Sequence, residues 1–382
     1  DYARYMADNS PKELGGQLHS YLSITHGLVD LAMATGEKKY LDQAIKIYHA
    51  TLPYLWINGV VPEHVGVFEH RDESCALVDW ILLLSKLYDA TGEAHYLDTL
   101  EFCTVNGLLF NQHNNGGFVT YRSVDRHKWM SDHNRGVDHD HCCTMHGGIG
   151  ITYATAHIVT QSAEGLSVNL PLGADVSLKQ NGKDVKLSQK IDVKPTVLVQ
   201  KIHIKNSGKK PLSIKVRVPY WCDSPALQVD GKKKPLKIKD GFINLSCKGK
   251  SEQNIEMTLP MKLVVIPARK NILTLDTAGA PGKAVEEGLQ YGPYALMFFR
   301  EMYKEVKERH LSVTVPLENG RPIMSQKLPE GWRAAGSVPL LIKAKLGNGA
   351  DVWLTPGANS TMMQFSVVDP YVFRFAKVTV SK

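Results

Sequence analysis

No uninterrupted apolar run approaches the roughly 18 residues that a membrane-spanning helix needs, so no such span is expected. Cysteine is scarce, six in 382 residues, which excludes a fold stapled mainly by disulfides. The chain opens Asp1-Tyr2-Ala3-Arg4, with neither an initiator Met nor a basic-then-apolar leader. Any targeting segment is therefore expected to have been removed or to lie outside this sequence, and no compartment is assigned. Basic residues are few in the first part: residues 1–165 hold 11 Lys and Arg against 20 Asp and Glu, while the remainder holds 34 against 18. The net charge of +7 is thus an acidic part joined to a basic one. Lys209, Lys210, Lys232, Lys233 and Lys234 sit at turns with no interleaved aromatics, which reads as a solubilised sheet edge and implies no nucleic-acid partner. Thirteen of the 15 histidines and four of the six cysteines lie in the acidic part, where the chemistry should be sought.

The length suits two or three domains. Within the first part, Ala34-Thr35-Gly36-Glu37 with Tyr40-Leu41-Asp42 recurs 56 residues later as Ala90-Thr91-Gly92-Glu93 with Tyr96-Leu97-Asp98. An apolar helix stopped by Gly, a polar turn and a new amphipathic helix describe an αα-hairpin, the unit of a helical array or toroid. A fifth helix is expected over Thr144–Val159. The long polar stretch from Asn111 to Cys142 is too long for a passive connection. After Gly165 the apolar period becomes two, as in Leu212, Ile214, Val216 and Val218. Asn181-Gly182, Asp230-Gly231, Asp240-Gly241, Asn319-Gly320 and Asn348-Gly349 mark hairpin turns. The expected architecture is α+β and multidomain: helices over 1–164, then an antiparallel β-sandwich region over 165–382, divisible into modules 165–270 and 271–382.

Two segments carry candidate chemistry, Glu73-Ser74-Cys75 and His141-Cys142-Cys143. Each stands just before a predicted helix, where backbone is expected to be irregular. The helices starting near Gln17, Ala76 and Thr144 alternate in the array and run parallel, so His19, Glu73, Cys75, Cys142 and Cys143 should gather on one rim. One carboxylate and three thiols make a four-ligand set for zinc. A closed set is more often structural than catalytic, Cys75 could instead be core, and Cys142 with Cys143 could form a vicinal disulfide. Asp138-His139-Asp140-His141 offers alternative ligands, with His141 a substitute for Glu73. Cys103 reads as core. Cys222 and Cys247 could bridge in an oxidising compartment. Glu63 lies in a loop leading to Glu73, and beside a metal-thiolate pocket it is a candidate general acid; Glu69 is its rival.

These residues resemble glycoside hydrolase family 127, the β-L-arabinofuranosidase-type family, and its close relatives. The resemblance runs over nearly the whole chain. It is carried by Glu73-Ser74-Cys75-Ala76, Ala90-Thr91-Gly92 and Cys142-Cys143-Thr144, and by the β-region phrases Gly165-Leu166-Ser167-Val168-Asn169-Leu170, Val216-Arg217-Val218-Pro219-Tyr220-Trp221 and Tyr291-Gly292-Pro293. It implies an (α/α) toroid followed by β-sandwich modules, and a retaining exo-glycosidase acting on terminal furanose-like sugars of an oligosaccharide or glycoconjugate. It further implies Zn2+ held by Glu73, Cys75, Cys142 and Cys143, with Cys142 as nucleophile and Glu63 as acid/base. His19, in a His-Ser-Tyr start, and Tyr121, after Gly116-Gly117-Phe118, would contact the sugar. A toroid of this type has about six hairpins. Only five helices precede the β region here, so the N-terminal half is expected outside this sequence. Another chain, a second copy or those residues would then cover the open helix faces. His139-Asp140-His141 differs from the family's usual residues at that place and points to a different sugar preference. The rival reading is a carbohydrate-binding or scaffold protein with structural zinc. A vicinal-dithiol redox protein is the third, and Glu73-Ser74-Cys75 argues against it.

Overall fold

The computed structural model describes residues 16–65, 73–112, 116–118, 142–267, 274–275, 281–282, 287–299, 311–327, 338, 340–357, 359, 371–372, 375 and 377–381. Helices come first: α1 (Leu18–Thr35), α2 (Lys38–Thr51), α3 (Ser74–Thr91), α4 (Ala94–Cys103) and α5 (Cys142–Ala156). The repeat seen in the sequence is a repeat of hydrogen bonds. Gly36 and Gly92 take left-handed backbone, φ 72° and 71°, and their N–H groups bond back to Ala32 and Tyr88 carbonyls. In both copies the preceding Thr hydroxyl donates to the carbonyl four residues earlier at 2.7 Å and accepts the N–H of Glu37 or Glu93 at 3.2 Å. Each hairpin thus closes its own orphan helix-end groups, and a glycine supplies the positive φ that other residues adopt at a penalty.

Helix α3 is buried on every side from Ser74 to Ser85, the mark of a helix at the centre of an array. It packs on α1, α4 and α5. Trp80 on α3 stacks on Tyr48 of α2 at 5.3 Å, and Tyr48 meets Tyr96 of α4 edge-on at 4.9 Å. Along α5, toward α3 at Gly150 and toward Phe118 at Gly147, there is no room for side chains. A Cβ on Gly150 would lie 2.8 Å from Val78 Cγ2, and one on Gly147 would lie 2.0 Å from the Phe118 ring. These glycines let α5 approach closely enough to bring its first turn beside that of α3.

The strands begin at Val159. Val159–Gln161, Gly165–Val168, Leu212–Arg217, Phe242–Cys247 and Ile238–Lys239 form one sheet in that order. Ala174–Gln180, Lys183–Val193, Val197–Asn206, Ser251–Pro260, Ala226–Val229 and Lys232–Lys234 form the second. Inward residues of both, among them Ile214, Val216, Ile202, Ile204, Ile255 and Met257, share one core, which makes the pair a sandwich. Leu263–Ile266, Gly288–Tyr291, Tyr294–Phe299, Asp351–Pro356, Leu341–Leu346, Ser312–Glu318 and Arg321–Pro322 run through a further sheet. Lys232–Lys234 is the fully exposed edge strand of the second sheet, so its lysines do blunt an edge.

Four of the five expected turns are two-residue hairpins with positive φ at both positions: Asn181-Gly182, Asp230-Gly231, Asp240-Gly241 and Asn319-Gly320. At Asn348-Gly349 only the glycine has positive φ, and the Asn348 side chain instead accepts the Ala350 N–H at 3.1 Å. Among the described residues the sheets are antiparallel apart from two pairings. Gly165–Val168 runs parallel to Leu212–Arg217 because the intervening chain crosses to the other sheet before returning. Ser312–Glu318 is parallel to Lys377–Ser381. Cys222 and Cys247 are both buried free thiols, so the bridge considered for them is not formed. Cys103 is core, as expected, and its thiol donates to the Gly59 carbonyl at 3.1 Å.

Two polar clamps fasten helices to sheets. Arg217, 2% exposed, bonds the Asp98 and Glu101 carboxylates of α4 and the Asn169 carbonyl, while Trp221 Nε1 donates to Glu101 at 2.9 Å. After α4 the chain makes a π-helical turn, Thr104–Leu108. Its Asn106 donates to the Pro293 carbonyl at 2.8 Å and accepts the Ala295 N–H at 2.7 Å. The Arg217 and Pro293 phrases noticed in the sequence therefore hold the β layers against the helices.

Candidate metal and active site

Helices α1, α3 and α5 start on one rim, as their alternation implies. Glu73 caps α3 in extended backbone, and Cys75 is the second residue inside the helix. Cys142 and Cys143 are the first residues of α5. The expectation of irregular backbone thus holds for Glu73 and is corrected for the cysteines. They need no irregularity, because Cα–Cβ bonds lean toward the helix N-terminus and the first turn projects its side chains over the rim.

Glu73, Cys75, Cys142 and Cys143 bring one ligand atom each to within 4.8 Å of one another. Cys75 Sγ and Cys143 Sγ are 3.5 Å apart, close to the edge of about 3.8 Å for two sulfurs held tetrahedrally at zinc and far beyond a disulfide bond. Glu73, Cys75 and Cys143 are buried, whereas Cys142 is half-buried. The hydrogen bond that Cys75 shares with Cys143, then burial, push the Cys75 thiol up, and burial pushes Cys142 up although Cys75 opposes it. A divalent cation among these donors would favour their deprotonated forms. Soft sulfur with one carboxylate fits zinc. The donor set therefore fits such an ion.

Glu63, buried in the loop before α3, is tied to the rim by Leu18 N–H, which donates to its carbonyl at 2.7 Å. The side-chain amide of Gln17 lies 3.5 Å from Glu63 Oε1 and 3.4 Å from Glu73 Oε2, so one residue serves both carboxylates. His19, the second residue of α1, bonds the buried Asp79 through Nδ1, and its ring meets that of His146 edge-on at 5.0 Å. The Asp79 hydrogen bond raises the His19 pKa against burial, with added pull from Glu73 and Cys143. Glu69, Tyr121, Asp138, His139, Asp140 and His141 lie outside the described residues.

Gln17, Asp79 and His146 escaped the sequence reading. Asp79 had a signal, a charged residue inside the apolar run Ala76-Leu77-Val78-Asp79-Trp80, one turn after Cys75. His146 likewise stands four residues after Cys142 and bonds its carbonyl at 3.2 Å.

Residues 62–155 match the model described as the catalytic domain of β-L-arabinofuranosidase, GH127, and residues 165–261 match its middle domain. No curated protein sequence matches. Among solved structures, the chain superposes on a GH127 β-L-arabinofuranosidase from Geobacillus stearothermophilus T6 with TM-score 0.66 and 15% identity, covering 96% of this chain and 60% of that one. A second GH127 β-arabinofuranosidase gives 0.66 and 16%, covering 96% and 61%, and a glycoside hydrolase gives 0.66 and 15%, covering 95% and 66%. The chain thus spans less than two thirds of the length of the structures it matches, and at these identities they show the fold. With two models of one family matching in order along its helical and β regions and spanning half its residues, the chain belongs to glycoside hydrolase family 127.

Proposed function

We propose that the protein is a retaining exo-glycosidase acting on terminal β-L-arabinofuranosides of an oligosaccharide or glycoconjugate. Cys142 is the nucleophile, Glu63 the acid/base, and Glu73, Cys75, Cys142 and Cys143 hold zinc. The observation that carries this reading is the difference among the three thiols: Cys75 and Cys143 are fully enclosed, and Cys142 alone keeps exposure toward the rim. Zinc bound there would supply a positive centre that keeps the thiols deprotonated and fixed.

Retaining glycosidases need a nucleophile and an acid that later serves as base. Cys142 Sγ attacks the anomeric carbon while Glu63 gives its proton to the departing glycosidic oxygen. Water then attacks the thioglycosyl carbon, Glu63 takes its proton, and Cys142 leaves as thiolate. Gln17 steadies the Glu63 carboxylate during the exchange, and His19 with Tyr121 contacts sugar hydroxyls. Family membership and the Glu63–Gln17–Glu73 link support these roles.

The specific rival is a carbohydrate-binding protein whose zinc is structural, favoured by the closed four-donor set. Hydrolysis of an aryl β-L-arabinofuranoside separates them. Cys142→Ala is expected to abolish turnover and Cys103→Ala to retain it. Sugar binding with stoichiometric zinc and no hydrolysis would favour the rival.

A further inference from the structure

Behind the rim, α1 and α3 share a ladder of polar groups of which the proposed chemistry uses His19 alone. Asp79, 2% exposed, takes His19 Nδ1 on one carboxylate oxygen and His26 Nε2 on the other at 3.4 Å. On its far side, His26 Nδ1 faces Lys86 Nζ at 3.1 Å, and Lys86 bonds Asp30 at 2.5 Å. A lysine ammonium has only donors, so Nδ1 of His26 is the acceptor and its Nε2 carries the proton given to Asp79. The ladder therefore has one direction: Lys86 fixes the His26 tautomer, His26 orients Asp79, and Asp79 accepts from His19 Nδ1. Nε2 is then the one ring nitrogen of His19 left for a ligand. Both helices repeat the plan, with a cysteine on the rim and its partner one turn below: Cys75 and Asp79 on α3, Cys142 and His146 on α5.

We propose that Asp79 is a positioning residue that holds His19 by Nδ1 so that Nε2 meets a hydroxyl of the bound sugar, with His26 and Lys86 fixing the geometry from behind. The inference rests on the glycosidase reading for the sugar and on the ladder alone for the orientation. Burial makes the arrangement rigid, because a buried carboxylate held by two donors cannot rotate without losing one of them. The competing occupant is a second cation, since His19, Asp79 and His146 also bring ligand atoms within 4.8 Å of each other.

The test uses protein labelled with nitrogen-15 at histidine, with zinc content and kcat/KM measured on the same samples. The parent should show a low-field imidazole N–H resonance that disappears in both Asp79→Asn and His19→Gln. Asp79→Asn should keep the zinc content and lower kcat/KM by about a hundredfold, the scale of a misplaced contact group. In a His19→Gln background it should have almost no further effect, because both changes remove one contact. Multiplying losses would overturn the proposal, as would a resonance that survives Asp79→Asn or a second metal equivalent lost with Asp79. Should Asp79→Asn not fold, His19→Gln decides: the Nε2–H resonance of His26 should stay, and the hydrogen bond is refuted if no low-field Nδ1–H resonance of the parent is lost. A parent protein without turnover would refute the glycosidase reading while leaving the resonance test intact.

Discussion

The sulfur atoms of Cys75 and Cys143 lie 3.5 Å apart although 68 positions separate the residues in sequence. Two helix N-termini meeting at that distance bring together candidate ligands that neither segment holds alone. Cys75→Ser keeps the shape but replaces a soft donor by a hard one. Zinc affinity should fall by more than about a hundredfold, since even outer-shell partners of such ligands contribute ten- to a hundredfold. Competition against a chromophoric chelator measures it.

The close crossing of α3 and α5 makes a second prediction away from the ligands. Gly150→Val should raise helix propensity locally yet force Val78 aside, because even a Cβ there would come to 2.8 Å. We expect a destabilisation of about 1–3 kcal/mol, as for other overpacked cores, together with weakened zinc binding as Cys143 is carried away from Cys75. Denaturant unfolding and metal titration of the same variant check both effects.

Arg217→Met leaves Glu101, 1% exposed, without its cation. Breaking a buried pair from one side typically costs about 3–5 kcal/mol, and that loss should appear in the unfolding midpoint. Lys38→Ala, which removes an exposed pair with Asp42 on α2, should change stability by less than about 1 kcal/mol.

His157 gives a pH dependence of known sign. Burial alone would lower its pKa, but the Asp89 hydrogen bond and charge and the Tyr153 carbonyl outweigh burial and raise it above 6.5. A raised pKa means that the folded protein binds the proton more tightly than the unfolded chain does. The stabilisation is therefore complete below about pH 6.5 and lost as pH rises through the folded value. The Tm difference between the parent and His157→Gln should be largest near pH 5 and shrink toward about pH 8. A difference independent of pH would contradict the pairing.

Turn and helix-end signals are legible in the sequence because a few neighbouring residues decide the outcome, whereas Cys75, Cys142 and Cys143 proved helical where irregular backbone was expected. Gly36 and Gly92 end helices because positive φ is needed there, and four Asn-Gly or Asp-Gly pairs close hairpins for the same reason. The clustering of Glu73, Cys75, Cys142 and Cys143 was legible through helix alternation, which places α1, α3 and α5 on one rim. Gln17, Asp79 and His146 were not, because their partners lie 46 to 60 positions away or on another helix, and a lone polar residue in a helix says nothing about its neighbour. Gly147 and Gly150 weaken a helix by local rules, and only the packing of Phe118 and Val78 explains them. The parallel pairing of Gly165–Val168 also depends on which sheet the chain visits in between, which turn residues do not reveal.

Zinc K-edge X-ray absorption on the purified protein tests the central claim most directly. Three sulfur scatterers at about 2.3 Å and one oxygen at about 2.0–2.2 Å are predicted, falling to two sulfurs in Cys142→Ala. A shell of nitrogen and oxygen alone, or a sulfur count unchanged by removing Cys142, would contradict it.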